Sequence, residues 1–511
     1  MKSFFVNAIA FLIYISPILG IEHDVYFPKS SKLQVQIPGR LRKEGGYDHR
    51  ESLFGEYPYG SSIATNVFYA GPTNFCTDTT SSRDDSWTSP FILVIDRGDC
   101  TFVTKVRNAQ HAGAVGVIIA DNLCICSDTR CNSPERLCEA DEPLMSDDGS
   151  GSDIVIPSFL IFKPDADMVK EELIQNVNTK DQVRMEMSWS LPKPDNRVEY
   201  DVWTVPTHSL NKEFLSNFGN IANALGSRAY FTPYMNIFDG AASGCHGFND
   251  DGAICYTLCT NNGRYCASDP DGNLNRGISG ADVVRESLRR ICIWNKYGAD
   301  DGIGTTWWNY VHEFTRLCNA DADYFNNDNC VNDAYRHAKI LKDDIDEINS
   351  CMTNSGGLEG NVQNVLLDRQ IKAKEKTGVV IFPAVVVNNV PLRGALTVNT
   401  VFEAICSGFA DGTKPTICNQ CERCHNSQSD CIQDKGVCSI NGATTTTTSG
   451  GGVSKVTFLF CILSLVAFLT GLSVFYSGRT RKEMRDNVRV IMSEYMLLEE
   501  ANTNPEDRGL L

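Results

Sequence analysis

The chain lacks the sequence patterns of common hydrolases and of nucleic-acid-binding proteins. It contains neither the H-E-x-x-H pattern of zinc proteases nor the G-x-S-x-G pattern of serine hydrolases. Its eight histidines are scattered, and no Ser/His/Asp set can be assembled from them. Basic residues are too few as well: 46 Lys and Arg face 63 Asp and Glu, and the resulting net charge of −17 repels phosphate backbones. We therefore expect no enzyme activity, no nucleic-acid partner and no metal or other cofactor.

The ends of the chain indicate a secreted part followed by one membrane span. With 511 residues the chain is too long for one core, which predicts two to four domains. Residues 1–20 predict a signal peptide, because a membrane anchor there would be short and broken by Pro17. Residues 456–476 carry no charge and are long enough to cross a bilayer, and the basic residues after them place the tail, 477–511, in the cytosol. The sequence thus predicts a single-pass type I membrane protein.

Cysteine usage supports an oxidising compartment. Of the 21 cysteines, 20 precede the predicted span, and this even number favours disulfides whose pairing the sequence does not determine. The spacing of Cys421 and Cys424 would suit zinc or redox chemistry, but their lumenal position favours structural disulfides. Residues 411–440 form a small Cys-rich module, and residues 441–455 form a Thr/Gly stalk. The candidate disulfide cysteines are Cys76, Cys100, Cys255, Cys259, Cys266, Cys292, Cys318, Cys330, Cys351, Cys406, Cys418, Cys421, Cys424, Cys431 and Cys438.

The first part of the secreted region reads as an α/β domain over residues 51–190, and residues 21–50 read as irregular. Three apolar runs predict strands: FILVID (91–96), VGVIIAD (115–121) and IVIPSFLIF (154–162). Between the first two lies KVRNAQHAGA, which has helix-forming residues and ends at a glycine. Strand, helix and strand in this order indicate a mixed α/β fold.

A second domain is expected over residues 197–410. The segment RVEYDVWTV (197–205) predicts a strand, and several amphipathic helices follow it. The later segment FPAVVVNN resembles a thioredoxin-like fold, in which a cis proline, here Pro383, precedes a strand and faces the redox pair. That pair should lie near WTVPTHSL (203–210), which contains no cysteine, so we expect a redox-inactive framework in which Cys255 and Cys259 are structural. The alternative is a membrane-anchored lumenal thiol–disulfide oxidoreductase or chaperone of the thioredoxin superfamily.

The cytosolic tail carries a candidate sorting signal. Tyr495 to Leu498 match the pattern Y-x-x-Φ, in which Φ is bulky and apolar. An extended peptide of this kind fills two pockets of a partner, one for the Tyr495 ring and one for Leu498. An incidental amphipathic turn is the alternative.

Many ordered motifs together resemble one family. FILVIDRGDCTFVTKVRNAQHAGAVGVIIADN is similar to the protease-associated domain of plant-type vacuolar sorting receptors. The resemblance continues through PDNRVEYDVWT, CTNNGRYCASDPDG, WWNYV and FPAVVVNN to CSGF, and it covers most of residues 50–420. It implies a multidomain α+β protein: a protease-associated α/β domain, a thioredoxin-like α/β central domain, a small disulfide-rich remnant of EGF-like repeats and a single transmembrane helix.

The resemblance also assigns a cargo-binding loop. Arg97, Gly98 and Asp99, with Phe102, match this loop, and Asn74 lies in a second loop, NVFYAGPTNFC (66–76). The residues agree with this role, because Cys100 can tether the loop, Gly98 permits an unusual turn and an exposed Arg97 would offer a fork of donors to a peptide. Two alternatives are that Arg97 forms a structural ion pair and that the RGD tripeptide serves adhesion.

The family implies a receptor that binds peptide signals of soluble proteins in the Golgi lumen. It would carry them in clathrin-coated carriers to the vacuole or a lysosome-like compartment, and it would reside in the Golgi, the trans-Golgi network and prevacuolar or endosomal membranes. Tyr495 and Leu498 would bind a clathrin adaptor. Release in an acidic endosome is a hypothesis motivated by the acidic segment EADEPLMSDDG (139–149) and by His111 near the loop.

The chain departs from the family in two places, and its tail argues against a relative of another class. The family has a Cys-rich stretch where this chain has VPTHSLNKEFL, so the resemblance does not carry one disulfide and part of the central cargo surface over to these residues. The family also has several EGF-like repeats, commonly calcium-binding, whereas the single Cys-rich segment here has no clear calcium pattern. Membrane ubiquitin ligases share the protease-associated domain, but residues 477–511 contain no Cys or His for a RING.

Overall fold

The computed structural model describes most of the part of the chain that the sequence predicts to be secreted, which is called the secreted part below. The described residues are 29–431, except 72–73, 78–85, 129–130, 132–137, 177–181, 208, 246–254, 256, 319–324, 326, 378, 380 and 423–430. Among these residues no helix is both long enough and apolar enough to cross a membrane. The predicted signal peptide, stalk, span and tail lie outside the described residues, as do Cys424, Cys438, Tyr495 and Leu498.

The first unit is a seven-stranded mixed sheet with helices on its two faces. The order of its strands across the sheet is β1-β7-β3-β4-β5-β6-β2. The four central strands, β3 to β6, are parallel, and the antiparallel strands lie at the two sides of them. The strands are β1 (Ser31–Ile37), β2 (His49–Glu51), β3 (Ser62–Tyr69), β4 (Phe91–Asp96), β5 (Ala114–Ala120), β6 (Ser158–Ile161) and β7 (Arg184–Trp189). The helices are α1 (Phe102–His111) and α2 (Lys163–Asn176).

The apolar runs of the sequence become the central strands because both faces of the sheet are covered. Strand β4 has the bounds that the sequence predicts, and its first five residues are fully buried. Such continuous apolar runs are typical of parallel strands that lie between two helical layers. The expectation that residues 21–50 are irregular is wrong for β1 and β2. In β1, Leu33 and Val35 are buried on one face of the strand, and this alternation is a strand signal.

The central unit contains the expected thioredoxin-like sheet and a helical region. Strands β8 (Val198–Thr204) and β9 (Ala229–Met235) are parallel and are joined by α3 (Ser209–Leu225). The remaining elements are β10 (Phe238–Asp239), β11 (Cys259–Thr260), β12 (Tyr265–Cys266), α4 (Gly280–Tyr297), α5 (Thr305–Cys318), α6 (Asp328–His337), α7 (Lys342–Asn354), α8 (Val365–Thr377), β13 (Ala384–Val387), β14 (Val390–Pro391), α9 (Val398–Ser407) and α10 (Thr416–Cys421). Strand β13 pairs antiparallel with both β8 and β14, and the Phe382–Pro383 bond before it is cis, as the sequence predicts.

Disulfides cross-link both units. In the described residues the pairs are Cys76–Cys100, Cys124–Cys131, Cys245–Cys255, Cys259–Cys266, Cys292–Cys351, Cys318–Cys330, Cys406–Cys418 and Cys421–Cys431. Three of the bonded cysteines are not among the sequence-based candidates: Cys124, Cys131 and Cys245. Cys421 bonds outside its C-x-x-C motif, as a structural cysteine rather than one half of a redox pair.

The two units are joined by backbone contacts around Gly394. The Gly394 N–H donates to the carbonyl of Ser52 at 3.0 Å, and the next N–H donates to the carbonyl of Gly55 at 2.7 Å. The Tyr59 hydroxyl donates to the Arg393 carbonyl at 3.1 Å and accepts from the Arg393 N–H at 2.7 Å. One hydrophobic cluster contains buried residues of both sheets. The relative placement of the units is therefore fixed by main-chain pairing and by a shared core.

We expect Gly394→Ala to weaken this joint more than a matched change elsewhere. Gly394 has a φ of +82°, and an added Cβ would lie 2.7 Å from both the Gly55 carbonyl oxygen and the Tyr57 ring. Gly412 has a similar φ of +78°, but nothing lies within 4 Å of an added Cβ. Both substitutions carry the left-handed backbone cost of about 1–2 kcal/mol. Only Gly394→Ala adds the clash, so urea unfolding of the secreted part should show it to be the more destabilising by about 1 kcal/mol or more. Equal destabilisation by the two variants would contradict a tight joint.

Candidate peptide-binding site

The residues assigned to cargo binding lie at the carboxyl ends of parallel strands. The loops that follow β3, β4 and β5 meet at this edge of the first sheet, because all three strands run in the same direction. Crevices beyond the carboxyl ends of parallel strands are common ligand sites in α/β sheets. The site comprises the turn 97–101, the loop segment 74–77 and the beginning of the segment after β5.

The turn after β4 depends on two left-handed residues. The Arg97 N–H donates to the Ala120 carbonyl at 2.9 Å, which extends the pairing of β4 with β5 by one residue. Gly98 then has a φ of +119° and Asp99 a φ of +67°, and the Cys100 N–H donates to the Gly98 carbonyl at 2.9 Å. A φ near +119° strongly favours glycine. Thr101 ends the turn as the N-cap of α1, and its hydroxyl accepts from the Thr104 N–H at 3.2 Å.

The second loop is fastened to this turn covalently and by hydrogen bonds. Cys76 is bonded to Cys100, with their Cα atoms 5.7 Å apart. The Asn74 side-chain amide donates to the Asp99 carboxylate, and the Lys105 ammonium donates to the Asn74 carbonyl. Lys105 is buried, and burial lowers its pKa, although Asp99 and Asp96 oppose the shift. The structure thus brings Asn74 and Asp99 together, as the sequence-based assignment requires.

The Arg97 side chain is not the exposed hydrogen-bond donor that the sequence predicts. Its guanidinium donates to both carboxylate oxygens of Glu139, at 2.6 and 2.7 Å, and to Asp121 at 3.0 Å. Only 22% of the side chain is exposed. The hydrogen bonds that Arg97 donates to Glu139 raise the pKa of Arg97, and Asp121 adds to the shift while partial burial opposes it. The expectation of an exposed Arg97 is therefore wrong, and the alternative of a structural ion pair describes its geometry.

The charged group that the turn exposes to solvent is the Asp99 carboxylate, a hydrogen-bond acceptor, and not the Arg97 guanidinium. Asp99 is exposed, whereas Phe102 is half-buried and packs against the core cluster beneath α1. Asp121 is fully buried, and its Oδ2 has no hydrogen-bond partner among the described residues. An adhesion tripeptide presents an open arginine beside its aspartate, which this turn does not. The site can instead offer the exposed Asp99 carboxylate to a peptide's donors.

The two carboxylate partners of Arg97 were missed by sequence reasoning. Asp121 lies 24 residues and Glu139 lies 42 residues beyond Arg97 in the chain. A signal for Asp121 existed, because it closes the apolar run VGVIIAD at the end of the strand next to β4. Glu139 begins the acidic segment 139–149, which the sequence suggested only as a set of titratable groups. Arg97, Asp121 and Glu139 are called the Arg97 cluster below.

The thioredoxin-like unit shows no second chemical centre in the residues described. Cys245, Cys259 and Cys266 have sulfur atoms within 4.8 Å of one another. Cys245 is bonded to Cys255, and Cys259 is bonded to Cys266, so none of the three offers a thiolate to a metal or to redox exchange. Their expected structural role fits these bonds.

Fold and site together define a class. The class is that of proteins in which a protease-associated sheet, here with a constrained loop at its edge, is joined to a thioredoxin-like framework. Residues 63–169 match the family model of the PA domain, and residues 198–406 match that of the vacuolar sorting receptor thioredoxin-like domain. The chain belongs to the vacuolar-sorting receptor family, whose members are receptors rather than enzymes.

Individual relatives support this membership over most of the chain. The chain is 33% identical to Vacuolar-sorting receptor 1 of Pisum sativum over 460 residues, which are 85% of this chain and 68% of that protein. It is 32% identical to Vacuolar-sorting receptor 6 of Arabidopsis thaliana over 79% of this chain and 63% of that protein. A rice receptor homology region, transmembrane domain- and RING domain-containing protein is 41% identical over 76 residues, only 15% of this chain and 14% of that protein.

Proposed function

We propose that this chain is a type I membrane receptor that binds short peptide signals of soluble proteins in the Golgi lumen. It carries these proteins to the vacuole or a lysosome-like compartment in clathrin-coated carriers. The observation that carries the proposal is the match to a vacuolar-sorting receptor over 85% of this chain. The apolar, uncharged run 456–476 supports the single span, and the carriers' route follows from the resemblance rather than from geometry.

We propose that the peptide binds at the turn of Arg97, Gly98 and Asp99, with Asn74 and Phe102 at its sides. Asp99 supplies an exposed acceptor at the tip of the left-handed turn. Arg97 acts mainly by holding the turn, because its guanidinium is bound by Glu139 and Asp121. In this role Arg97 does not donate hydrogen bonds to the peptide itself. Its substitution should still weaken binding, because the turn would lose the contacts that hold it.

The test is capture of secreted or vacuolar proteins by the purified secreted part, residues 21–443. We expect Arg97→Ala to reduce capture of hydrolase precursors tenfold or more, which corresponds to about 1.4 kcal/mol or more of binding energy. Arg107→Ala is the matched control, because Arg107 on α1 forms a similar two-point ion pair with Asp153 and is 24% exposed. It should leave capture unchanged.

Each outcome of this capture experiment bears on the proposal. Equal capture by wild type and Arg97→Ala would move the site away from the turn. Equal loss in Arg97→Ala and Arg107→Ala would indicate general destabilisation of the sheet. Absence of capture by wild type at neutral pH, with and without calcium, would contradict the receptor function itself.

We propose that Tyr495 and Leu498 bind a clathrin adaptor. The motif supports this by its spacing and by its place, because Tyr495 lies 19 residues beyond the predicted span's last residue, clear of the bilayer. A tail peptide, residues 477–511, should retain adaptor from cytosol, and Tyr495→Ala should abolish retention. Tyr495→Phe keeps the ring and tests the hydroxyl alone. Unchanged retention by Tyr495→Ala would remove the sorting role from this motif.

A further inference from the structure

The segment after β5 leaves the sheet and returns to it beside two cysteines. Ile125 and Glu139 form an isolated parallel bridge. The Cys126 N–H donates to the Glu139 carbonyl at 3.0 Å, and the Glu139 N–H donates to the Cys124 carbonyl at 2.9 Å. These bonds fix the backbone on both sides of the bridge. Cys138, the residue before Glu139, is thereby held next to Cys126.

The thiols of Cys126 and Cys138 are in contact but are not joined. Their side chains are hydrogen-bond partners. Every other cysteine in the described part of the chain is in a disulfide. The neighbouring bond between Cys124 and Cys131 lies within the same segment and leaves those two sulfurs unable to join a metal site. Two thiols alone do not make a structural zinc site, which needs four ligands.

We infer that Cys126 and Cys138 close a further disulfide, and that this bond holds Glu139 against Arg97. In the reaction, one thiol loses its proton and attacks a sulfur of a disulfide donor, such as an oxidised dithiol protein of the secretory lumen. The second thiol then displaces the donor as a thiolate from the mixed disulfide. Two electrons and two protons pass to the donor, which leaves with two thiols. We call this bond the segment disulfide.

The segment disulfide matters for the site because Glu139 follows Cys138 directly. Glu139 supplies two of the guanidinium contacts in the Arg97 cluster, at 2.6 and 2.7 Å. A covalent bond one residue away restrains the Glu139 backbone in addition to the two hydrogen bonds of the bridge. Without it, the contacts described for Glu139 beside the turn are the hydrogen bonds of the bridge and the ion pair with Arg97. The consequence for peptide capture rests on the proposed function, whereas the bond itself does not.

The bond can be tested on the full chain, expressed in a eukaryotic secretory pathway and purified in detergent. Thiols are blocked with iodoacetamide in denaturant without reduction, and the chain is cut with trypsin. Residues 108–130 carry Cys124 and Cys126, residues 131–136 carry Cys131, and residues 137–170 carry Cys138. We expect these three peptides to appear as one linked species by mass spectrometry. A linked pair of the first two peptides, with alkylated Cys126 and alkylated Cys138, would overturn the inference.

The variant Cys126→Ser separates the proposed pairing from a crossed one. We expect it to retain the link between peptides 108–130 and 131–136, while peptide 137–170 becomes alkylated at Cys138. If peptide 137–170 instead stays linked to 108–130, Cys138 is bonded to Cys124 and the inference is wrong.

The effect on the turn is tested by hydrogen exchange at the backbone amides of residues 97–100. We expect the double variant Cys126→Ser/Cys138→Ser to exchange there at least tenfold faster than wild type. Glu139→Gln keeps the segment disulfide but weakens the ion pair, and it should accelerate the same amides. Unchanged exchange in the double variant would overturn the restraint on Glu139. A failure to capture any cargo would contradict the proposed function, but it would not affect the conclusions from the disulfide mapping and from the hydrogen exchange.

Discussion

Replacing Glu286 by alanine is expected to lower the free energy of unfolding of the secreted part by about 3–5 kcal/mol. Glu286 lies on α4 and is fully buried in the core of the central unit. One carboxylate oxygen accepts from Arg290 Nε at 2.9 Å, and the other accepts from Arg289 and from the Tyr310 hydroxyl. Alanine would leave two guanidinium groups buried without their counter-charge, and an uncompensated buried charge is among the most destabilising changes in a protein.

Urea unfolding followed by far-ultraviolet circular dichroism measures this loss. Glu313→Ala is the matched control, because Glu313 on α5 pairs with Arg316, whose side chain is 50% exposed. Such a surface pair contributes about 0–1 kcal/mol. Glu286→Gln keeps the volume and part of the hydrogen bonding, so it should fall between wild type and alanine. A Glu286→Ala midpoint equal to that of Glu313→Ala would show that the buried network is not needed for stability.

Elements with a strong local pattern were predicted well from the sequence. Strand β4 and the helix that follows it come from an apolar run and a helix-forming segment, each with a clear end. The cis proline before β13 follows from the resemblance of FPAVVVNN to a thioredoxin-like fold. These features are local, because a few neighbouring residues decide them.

Features that depend on distant partners were missed. Strand β1 is half polar, and its place in the sheet depends on β7, about 150 residues later, which pairs with it. The Arg97 cluster joins residues up to 42 positions apart, so no pattern around Arg97 reveals that its guanidinium is already bound. The sequence therefore identified the turn that contains Arg97 but assigned the wrong surroundings to the arginine side chain.

Asp201 is a second residue whose behaviour the sequence did not reveal. It lies in the middle of β8, between β9 and β13, opposite Thr232 on one side and Val386 on the other. Burial raises the pKa of the Asp201 carboxyl to about 7; the nearby charge of Glu199 adds to the shift, and a hydrogen bond with Thr232 opposes it. A carboxyl group of this kind changes charge between a neutral and an acidic compartment.

The raised pKa of Asp201 makes the folded state less stable as the pH rises. The folded state binds the proton more tightly than the unfolded chain, so the stabilisation is fully present below the ordinary aspartate pKa and is lost as the pH rises through about 7. At about 1.4 kcal/mol per pKa unit, wild type should lose about 2–3 kcal/mol from this group between pH 5 and pH 8. His49 has the opposite effect, because burial lowers its pKa to about 4 and acid therefore disfavours the fold. The single variant Asp201→Asn is needed to isolate the Asp201 contribution.

We expect the stability advantage of Asp201→Asn over wild type to be larger at pH 8 than at pH 5. Asparagine has nearly the same shape and stays neutral, so the difference between variant and wild type should grow by about 2–3 kcal/mol over this range. Urea midpoints at several pH values measure it, and Asp411→Asn, at a side chain that is 93% exposed, should show no comparable trend. A constant difference across pH would mean that Asp201 does not titrate in this range. The expected trend would mean that Asp201 contributes more to the stability of the described units in acid than at neutral pH.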